Sequence, residues 1–222
     1  MPRALLIVNA KASQAADCFA EIARHLEAGG IDVERGEADC EDGLKECLRK
    51  RRDQIDLLVV AGGDGTVRCA VEAIVAEPDR PLPLGIIPVG TANNVARGLG
   101  LPLETEKACA VVVAAQRKWM DVGRVNGRIF VSVVGIGLST RVHEEVPSEQ
   151  KKRWGSLSYA ISAMKLLLGR TPRFRAKIRH DGGVLKGAAL QITVCNGRYY
   201  GGHMVIQRPR RGWTMGCWTC RS

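Results

Sequence analysis

The residues best suited to chemistry stand in one short stretch, Gly62–Thr66 (GGDGT), where an apolar run ends in glycines. The run Leu57–Ala61 is typical of a buried strand, and Val67–Ile74 has the apolar spacing of a helix. Three glycines in four residues let a ligand approach the backbone without a Cβ in the way. Free N–H groups and the positive end of a helix dipole then converge on one point. The stretch therefore predicts a phosphate-binding loop.

A carboxylate, Asp64, stands among these glycines. Beside a phosphate it is repelled unless a metal ion or a hydrogen-bond donor lies between them, so its position indicates contact with Mg²⁺ or substrate. The stretch lacks the lysine of a Walker loop and the G-x-G-x-x-G spacing of a dinucleotide loop. Judged by its glycines alone, it is equally typical of an ordinary tight turn between a strand and a helix.

Composition limits the class of protein. Hydrophobic residues make up 45% and charged residues 25% of the 222 residues, as in soluble globular proteins. No apolar run approaches the roughly 20 residues of a membrane span. Eight scattered cysteines fit reduced thiols and a cytoplasmic location. The net charge of +10 suits a nucleotide, a nucleic acid or an anionic membrane, but dispersed basic residues and 5% aromatic content argue against nucleic acid.

Strands and helices alternate through the first half of the sequence. The predicted strands are Ala4–Asn9, Ile31–Glu37, Leu57–Ala61 and Leu84–Pro88. The predicted helices are one that ends before Gly29, then Cys40–Arg52, Val67–Ile74, Val95–Leu99 and about Glu104–Gln116. This alternation predicts a mostly parallel sheet with helices on both faces and ligands at the carboxyl ends of the strands. Asn9, Gly62–Thr66 and Gly90–Asn93 all fall at such ends.

After Asp121 the sequence becomes β-rich. Hairpin turns at Asn126-Gly127 and at residues 181–183 separate the predicted strands Asp121–Val125, Arg128–Gly135, Arg173–His180 and Val184–Cys195. A polar loop at 143–153 and a helix at 157–168 are predicted between them. The expected fold class is therefore α/β, with a parallel-sheet nucleotide-binding domain at residues 1–122 and a β-rich domain at 123–206.

Two motifs in this order give the sequence a family resemblance. Gly62–Thr66 and, further on, Gly85–Arg97 (GIIPVGTANNVAR) resemble the catalytic domain of the diacylglycerol kinase and sphingosine kinase family, in its bacterial lipid kinase form. Asn196–Gly202 resembles the family's later N-x-x-x-x-G-G segment, and the resemblance runs from residue 3 to about 206. It implies phosphorylation of a lipid hydroxyl with ATP and Mg²⁺. It also implies a phosphofructokinase-like and NAD-kinase-like α/β domain, followed by a β-sandwich domain.

The resemblance also implies which residues form the site. The glycine loop would hold the ATP phosphates, and Thr91 with Asn93 would form the facing wall. The nucleotide-binding residues that it implies are Asn9, Lys11, Gly62, Gly63, Asp64, Gly65, Thr66, Thr91 and Asn93. Neither motif contains an obvious base for the attacking hydroxyl, which leaves Asp64 as the candidate catalytic residue. A lipid substrate implies a peripheral position at the inner membrane surface, and a homodimer remains open.

The sequence departs from the family pattern at two positions. Ala10 stands where the family usually has Pro, and Asn94 where it often has Asp, so position 94 supplies no negative charge. A relative of NAD kinase or phosphofructokinase is the alternative enzyme, because those folds share the G-G-D-G-T loop. A catalytically inactive nucleotide-binding protein is the alternative outside enzymes. The G-T-x-N-[DN]-x-A-R stretch favours lipid kinases.

The tail from about residue 207 has neither strand nor helix periodicity. Because Trp and Met each have a single codon, Trp213–Cys220 fixes much of its coding DNA. In the frame that begins at the third base of the Trp213 codon, that DNA encodes Asp-x-Gly-x-Leu-Asp. This matches the family's Asp-Asp-Gly-Leu-Leu-Asp-Val segment, which contributes to its Mg²⁺ site. We therefore expect a frameshift near Gln207, an out-of-frame tail at 207–222, an incomplete sandwich domain and impaired activity. A lineage-specific C-terminus is the alternative.

Sequencing the gene across codon 207 tests the expected frameshift. Restoring the frame there is expected to yield the acidic segment and many further codons. Carboxylates for Mg²⁺ would then be present, so the repaired chain is expected to phosphorylate diacylglycerol in a Mg²⁺-dependent assay far faster than the 222-residue chain. Early stop codons in every alternative frame, or fast turnover by the 222-residue chain, would contradict the frameshift.

Overall fold

The computed structural model describes residues 1–9, 15–37, 41–77, 82–137, 173–180, 182–200 and 204–205. Two units can be distinguished. One holds Met1–Ser132 with the described residues from Asn196 onward, and the other holds Val133–Cys195. The predicted boundary at residue 122 stays a prediction, as does the sandwich architecture. Lys11 and the segments predicted at 143–153, 157–168 and 207–222 lie outside the described residues.

The first unit is built on four parallel strands, β1 Arg3–Val8, β2 Asp32–Gly36, β3 Leu57–Gly62 and β4 Leu84–Pro88. Its helices are α1 Ala15–Ala28, α2 Glu41–Arg51, α3 Asp64–Val75, α4 Asn94–Leu99 and α5 Thr105–Val113. The strand order is β2-β1-β3-β4. The predicted alternation of strands and helices, and with it the α/β class, is confirmed.

Both faces of this sheet are buried by helices. Leu58 and Val60 of β3 lie in a cluster with side chains of α2 and α3. Val59 and Ala61 lie in a second cluster, with side chains of α1 and α5. Successive side chains of a strand point to opposite faces, so one strand contributes to both clusters. This explains why β3 is a continuous apolar run in the sequence rather than an alternating one.

The carboxyl ends of β1, β3 and β4 lie side by side. β1 and β3 pair in register up to Ala61, and β3 and β4 up to Gly62. The Asn9 N–H donates to the Ala61 carbonyl at 3.1 Å, and the Val89 N–H to the Gly62 carbonyl at 3.3 Å. The loops that follow these strands therefore start at one edge of the sheet. The strand order also places the reversal of winding, where ligands of such sheets bind, between β1 and β3.

Helix α5 and a β-hairpin follow the parallel sheet in the chain. α5 ends at Val113 rather than at the predicted Gln116, because Ala115 adopts a left-handed backbone, φ 51°, which cannot continue a helix. β5 Gly123–Val125 and β6 Arg128–Phe130 then pair antiparallel. Their turn residues Asn126 and Gly127 have φ 49° and 79°, the pattern of a tight two-residue hairpin turn, as the sequence predicted.

The second unit contains antiparallel pairs. Its strands are β7 Val133–Gly137, β8 Phe174–His180, β9 Gly183–Ala189 and β10 Gln191–Cys195, with β7 paired to β10 and β8 to β9. β11 Tyr199–Tyr200 and β12 Met204–Val205 pair within the first unit. Two predicted strands were wrong in extent, since Arg128–Gly135 and Val184–Cys195 are each divided in two. The halves pair with different partners, a change that apolar alternation does not reveal.

Truncation of Leu58 should measure the contribution of the sheet core. Its side chain is 0% exposed, so Leu58→Ala is expected to lower the free energy of unfolding by roughly 2–5 kcal/mol. Leu103, which is 38% exposed, provides the control variant Leu103→Ala, with a much smaller expected effect. Urea unfolding monitored by circular dichroism compares the two. Equal losses of stability would contradict the assigned core.

Candidate functional site

The glycine stretch lies where β3 passes into α3, as predicted. Gly63 precedes the helix with an extended backbone, φ −95° and ψ −171°, and α3 begins at Asp64. The first intrahelical bond is donated by the Val67 N–H to the Gly63 carbonyl at 3.1 Å. The N–H groups of Gly65 and Thr66 therefore precede the bonded part of the helix. Together with the helix dipole, these donors favour an anion at this point.

A second loop, Gly90–Asn93, follows β4 and closes on itself. Asn93 has a left-handed backbone, φ 50° and ψ 42°, which asparagine tolerates better than most residues. Its Nδ2 donates to the Gly90 carbonyl at 2.7 Å, and its Oδ1 accepts from the Gly90 N–H at 3.1 Å. Arg97 Nε donates to the Ala92 carbonyl at 3.2 Å. The Asn93 side chain is therefore bonded to its own loop, while its predicted part in the nucleotide site stays a prediction.

The Asp64 carboxylate connects the two loops. Its Oδ2 accepts hydrogen bonds from the backbone N–H and from Nδ2 of Asn94, each at 3.0 Å. Its Oδ1 accepts from the Val95 N–H at 2.8 Å. Asp64 therefore caps the amino end of α4 although it belongs to α3, and a carboxylate at a helix N-terminus is favoured by the helix dipole. Sequence reasoning missed this contact.

The side chain at position 94 is suited to this contact. Asn94 presents an N–H donor to Asp64. An aspartate at the same position would place a second carboxylate against the first, and like charges at hydrogen-bond distance repel each other. The amide that departs from the family pattern therefore stabilises the connection between the loops.

The glycines at the site serve different purposes. A Cβ on Gly63 would lie 3.3 Å from Gly90 Cα, and a Cβ on Gly90 would collide with Gly63, so the two loops touch backbone to backbone. A Cβ on Gly62 would collide with the Thr66 side chain. Gly65 is exposed, and a Cβ there would meet nothing within 4 Å. The space beside Gly65 is the part of the loop that is open to a ligand.

The remaining predicted site residues are at the same edge of the sheet or outside the described residues. Asn9 is half-buried directly after β1, and Thr66 is half-buried in the first turn of α3. Thr91 is exposed in the second loop. β11, which follows Asn196, lies against α4, so the third sequence motif adjoins the second. Lys11 cannot be placed, since it lies outside the described residues.

Two further features of the described residues bear on other possible sites. No cluster of three or more His, Cys, Asp or Glu side chains is arranged there to hold a metal ion. A cavity of about 380 Å³ lies between the end of β2 and α2, away from the glycine loop in sequence, lined by Arg35, Glu37, Gly43, Glu46, Cys47, Lys50 and Arg51. Its charges are largely matched: Arg51 pairs with Glu34, and hydrogen bonds from Arg49 and Lys50 lower the pKa of Glu46 to about 2.

A doubly wound parallel sheet with a glycine-rich turn at its carboxyl edge defines the first unit as an α/β domain. The sequence profile of the diacylglycerol kinase catalytic domain matches residues 3–125. The chain therefore belongs to the diacylglycerol kinase catalytic domain family, which confirms the resemblance carried by the two motifs.

Relatives support this assignment. The chain is 32% identical over 178 residues to a diacylglycerol kinase of Bacillus subtilis (strain 168), covering 79% of this chain and 58% of that protein. It is 35% identical over 152 residues to a diacylglycerol kinase of Staphylococcus aureus (strain JH9), covering 67% and 47%. The chain thus spans about half the length of these curated relatives.

Solved structures agree with the fold. The crystal structure of a diacylglycerol kinase from Bacillus anthracis str. Sterne superposes with a TM-score of 0.71 at 29% identity, covering 90% of this chain and 66% of that one. A membrane-spanning helix is absent from the part of the chain that the structure describes.

Substitution of Asp64 tests the connection between the loops. In Asp64→Asn an NH₂ group faces one of the α4 donors, and an unsatisfied buried donor costs about 1–3 kcal/mol, so the free energy of unfolding is expected to fall by that amount. Glu27→Gln, at an exposed position of α1, is the control and should change stability little. Urea denaturation measures both. An Asp64→Asn variant as stable as the parent chain would contradict the assigned cap.

Proposed function

We propose that this chain is the catalytic part of a lipid kinase that transfers the γ-phosphoryl group of ATP to a hydroxyl of diacylglycerol or a related lipid. One observation carries the proposal: a chain of the diacylglycerol kinase family holds the open turn Gly62–Thr66 against the loop Gly90–Asn93 at the ligand-binding edge of its sheet. The relatives' names supply the substrate class.

The phosphates of ATP occupy the open side of the turn in this proposal. The N–H groups of Gly65 and Thr66 donate to phosphate oxygens, and the α3 dipole favours their negative charge. A Cβ at Gly65 would meet no atom within 4 Å apart from those of its own helical turn, which supports this placement, since a phosphate needs that space. Asn9 and Thr91, at the ends of β1 and of the second loop, would flank the nucleotide, and Lys11 would add a positive charge.

Mg²⁺ is part of the proposal as the partner of ATP, since it neutralises charge between phosphate oxygens during transfer. The described residues do not by themselves form a site for it. They contain no acidic cluster, and the Asp64 oxygens already accept three hydrogen bonds. Any further ligands would come from the phosphates, water and residues outside the described part of the chain.

The bonds of Asp64 favour a positioning role over proton transfer. A carboxylate that accepts from Asn94 and Val95 keeps the second loop at a fixed distance from the glycine loop. Phosphoryl transfer depends mainly on positioning and charge stabilisation, so this fixed spacing is a contribution to the reaction. The assignment of Asp64 as the base for the lipid hydroxyl stays a prediction.

A pair of glycine variants tests the phosphate site. Gly65→Val fills the open side of the turn, whereas Gly98→Val places the same side chain on α4, where a Cβ likewise meets nothing within 4 Å. Gly65→Val is expected to weaken ATP binding by roughly tenfold or more through loss of hydrogen bonds to phosphate. Gly98→Val is expected to leave ATP affinity unchanged. Gly63→Val is less informative, because it also disturbs the contact with Gly90.

Calorimetric titration with ATP, and transfer of labelled phosphate to diacylglycerol in detergent micelles, measure the two steps separately. Thermal unfolding verifies that both variants are folded. Unchanged ATP affinity in Gly65→Val would contradict the loop assignment. ATP binding without phosphorylation of any lipid, by a version of the chain extended to the length of its relatives, would contradict the lipid kinase proposal.

A further inference from the structure

The β8–β9 hairpin of the second unit is a ribbon with one strongly basic face. In the antiparallel register Arg175 pairs with Ala188, Lys177 with Lys186 and Arg179 with Val184. Paired residues share a face, and so do residues two apart on one strand. One face therefore carries Arg175, Lys177, Arg179, Val184, Lys186 and Ala188, and all six are exposed. We call this set the basic face.

The opposite face is largely apolar and, on average, less exposed. It carries Phe174, Ala176, Ile178, Leu185 and Ala189, together with His180 and two glycines. The Phe174 ring lies against β7, since a Cβ on Gly137 would come within 2.8 Å of its Cε1 atom. The ribbon is thus amphipathic, and the basic face is its more exposed side, although Ile178 and Leu185 of the apolar face are still 38% and 37% exposed.

The positive charges of the basic face are not compensated within the described structure. Lys177 and Lys186 lie directly opposite each other, an arrangement that destabilises a strand pair. None of its four cations forms a salt bridge among the described residues. The sequence from 173 to 195 holds one acidic residue, Asp181, which comes between β8 and β9 in the sequence and is outside the described residues. Repulsion between these cations lowers the stability of the ribbon. An anionic partner that binds the face neutralises the charges and removes this cost, which strengthens its binding.

We infer that the basic face is a docking surface for an anionic lipid bilayer. At about 3.4 Å per residue, Arg175 and Arg179 span roughly 14 Å, and Lys186 lies about 5 Å to the side on the neighbouring strand. Four cations on one face of the ribbon are complementary to an array of lipid phosphates, and Val184, 50% exposed, adds an apolar side chain at the end of the ribbon. The face has no aromatic side chain on which a nucleic-acid base could stack, which favours a membrane over single-stranded nucleic acid.

Sedimentation with vesicles tests the inference on the full chain without nucleotide, so the result does not depend on the phosphate site or on catalysis. The probes are vesicles of phosphatidylcholine alone and of phosphatidylcholine mixed with phosphatidylglycerol. Each basic residue near an anionic surface strengthens binding by about fivefold, so the double variant Lys177→Gln, Lys186→Gln is expected to bind the anionic vesicles about 25-fold more weakly. The control is Lys50→Gln, Lys107→Gln, which removes the same charge from exposed positions of the first unit and is expected to bind like the parent.

A second variant separates binding from folding. Lys186→Glu replaces the repulsion of Lys177 with attraction, so it is expected to raise the melting temperature while it weakens binding to anionic vesicles even further. Equal loss of binding in the control variant would show that net charge alone attracts the chain, and would overturn the inference. So would failure of the parent chain to prefer anionic vesicles, or lysine-dependent binding to duplex DNA that is tighter than binding to the vesicles.

Discussion

The three hydrogen bonds accepted by the Asp64 carboxylate are the interaction on which the candidate site depends. They connect the first turn of α3 to the first turn of α4. The short helix α4 has no side-chain cap of its own, so these hydrogen bonds satisfy its first N–H donors and stabilise it. The same bonds fix the spacing between the glycine loop and the second loop. The backbone contact between Gly63 and Gly90 is possible only at that spacing. The geometry of the loop is thus held by contacts within the protein, and preorganisation of this kind reduces the ordering cost of binding.

The loops of the site follow directly from the parallel sheet, which fixes where they begin. The two ends of α3 have environments that suit the helix dipole. At its amino end the chain offers free N–H groups. At its carboxyl end the buried Arg52, 5% exposed, donates to the Glu77 carbonyl at 3.1 Å and lies 3.4 Å from the Glu77 carboxylate. A cation near the negative end of a helix is favourable, and it leaves the positive end free to act on a ligand.

Local sequence patterns predicted the elements, because apolar runs and glycines act over a few residues. Gly62–Thr66 was placed correctly between a strand and a helix, and the shared edge of Asn9 and the second loop followed from parallel strand order. The bonds from Asn94 and Val95 to Asp64 were not predictable, since residues about 30 positions apart meet only after the fold is known. The breaks at Ser132 and Leu190 were missed for a similar reason, because each marks a change of pairing partner.

The facing lysines of the β8–β9 ribbon have a consequence for the behaviour of the chain in salt. Added salt screens the repulsion between Lys177 and Lys186, so the ribbon itself is held together better at high ionic strength. Lysines along exposed strands also keep sheet edges of different molecules apart, and the same screening weakens that protection. Added salt therefore stabilises the ribbon and, at the same time, makes the protein more prone to self-association.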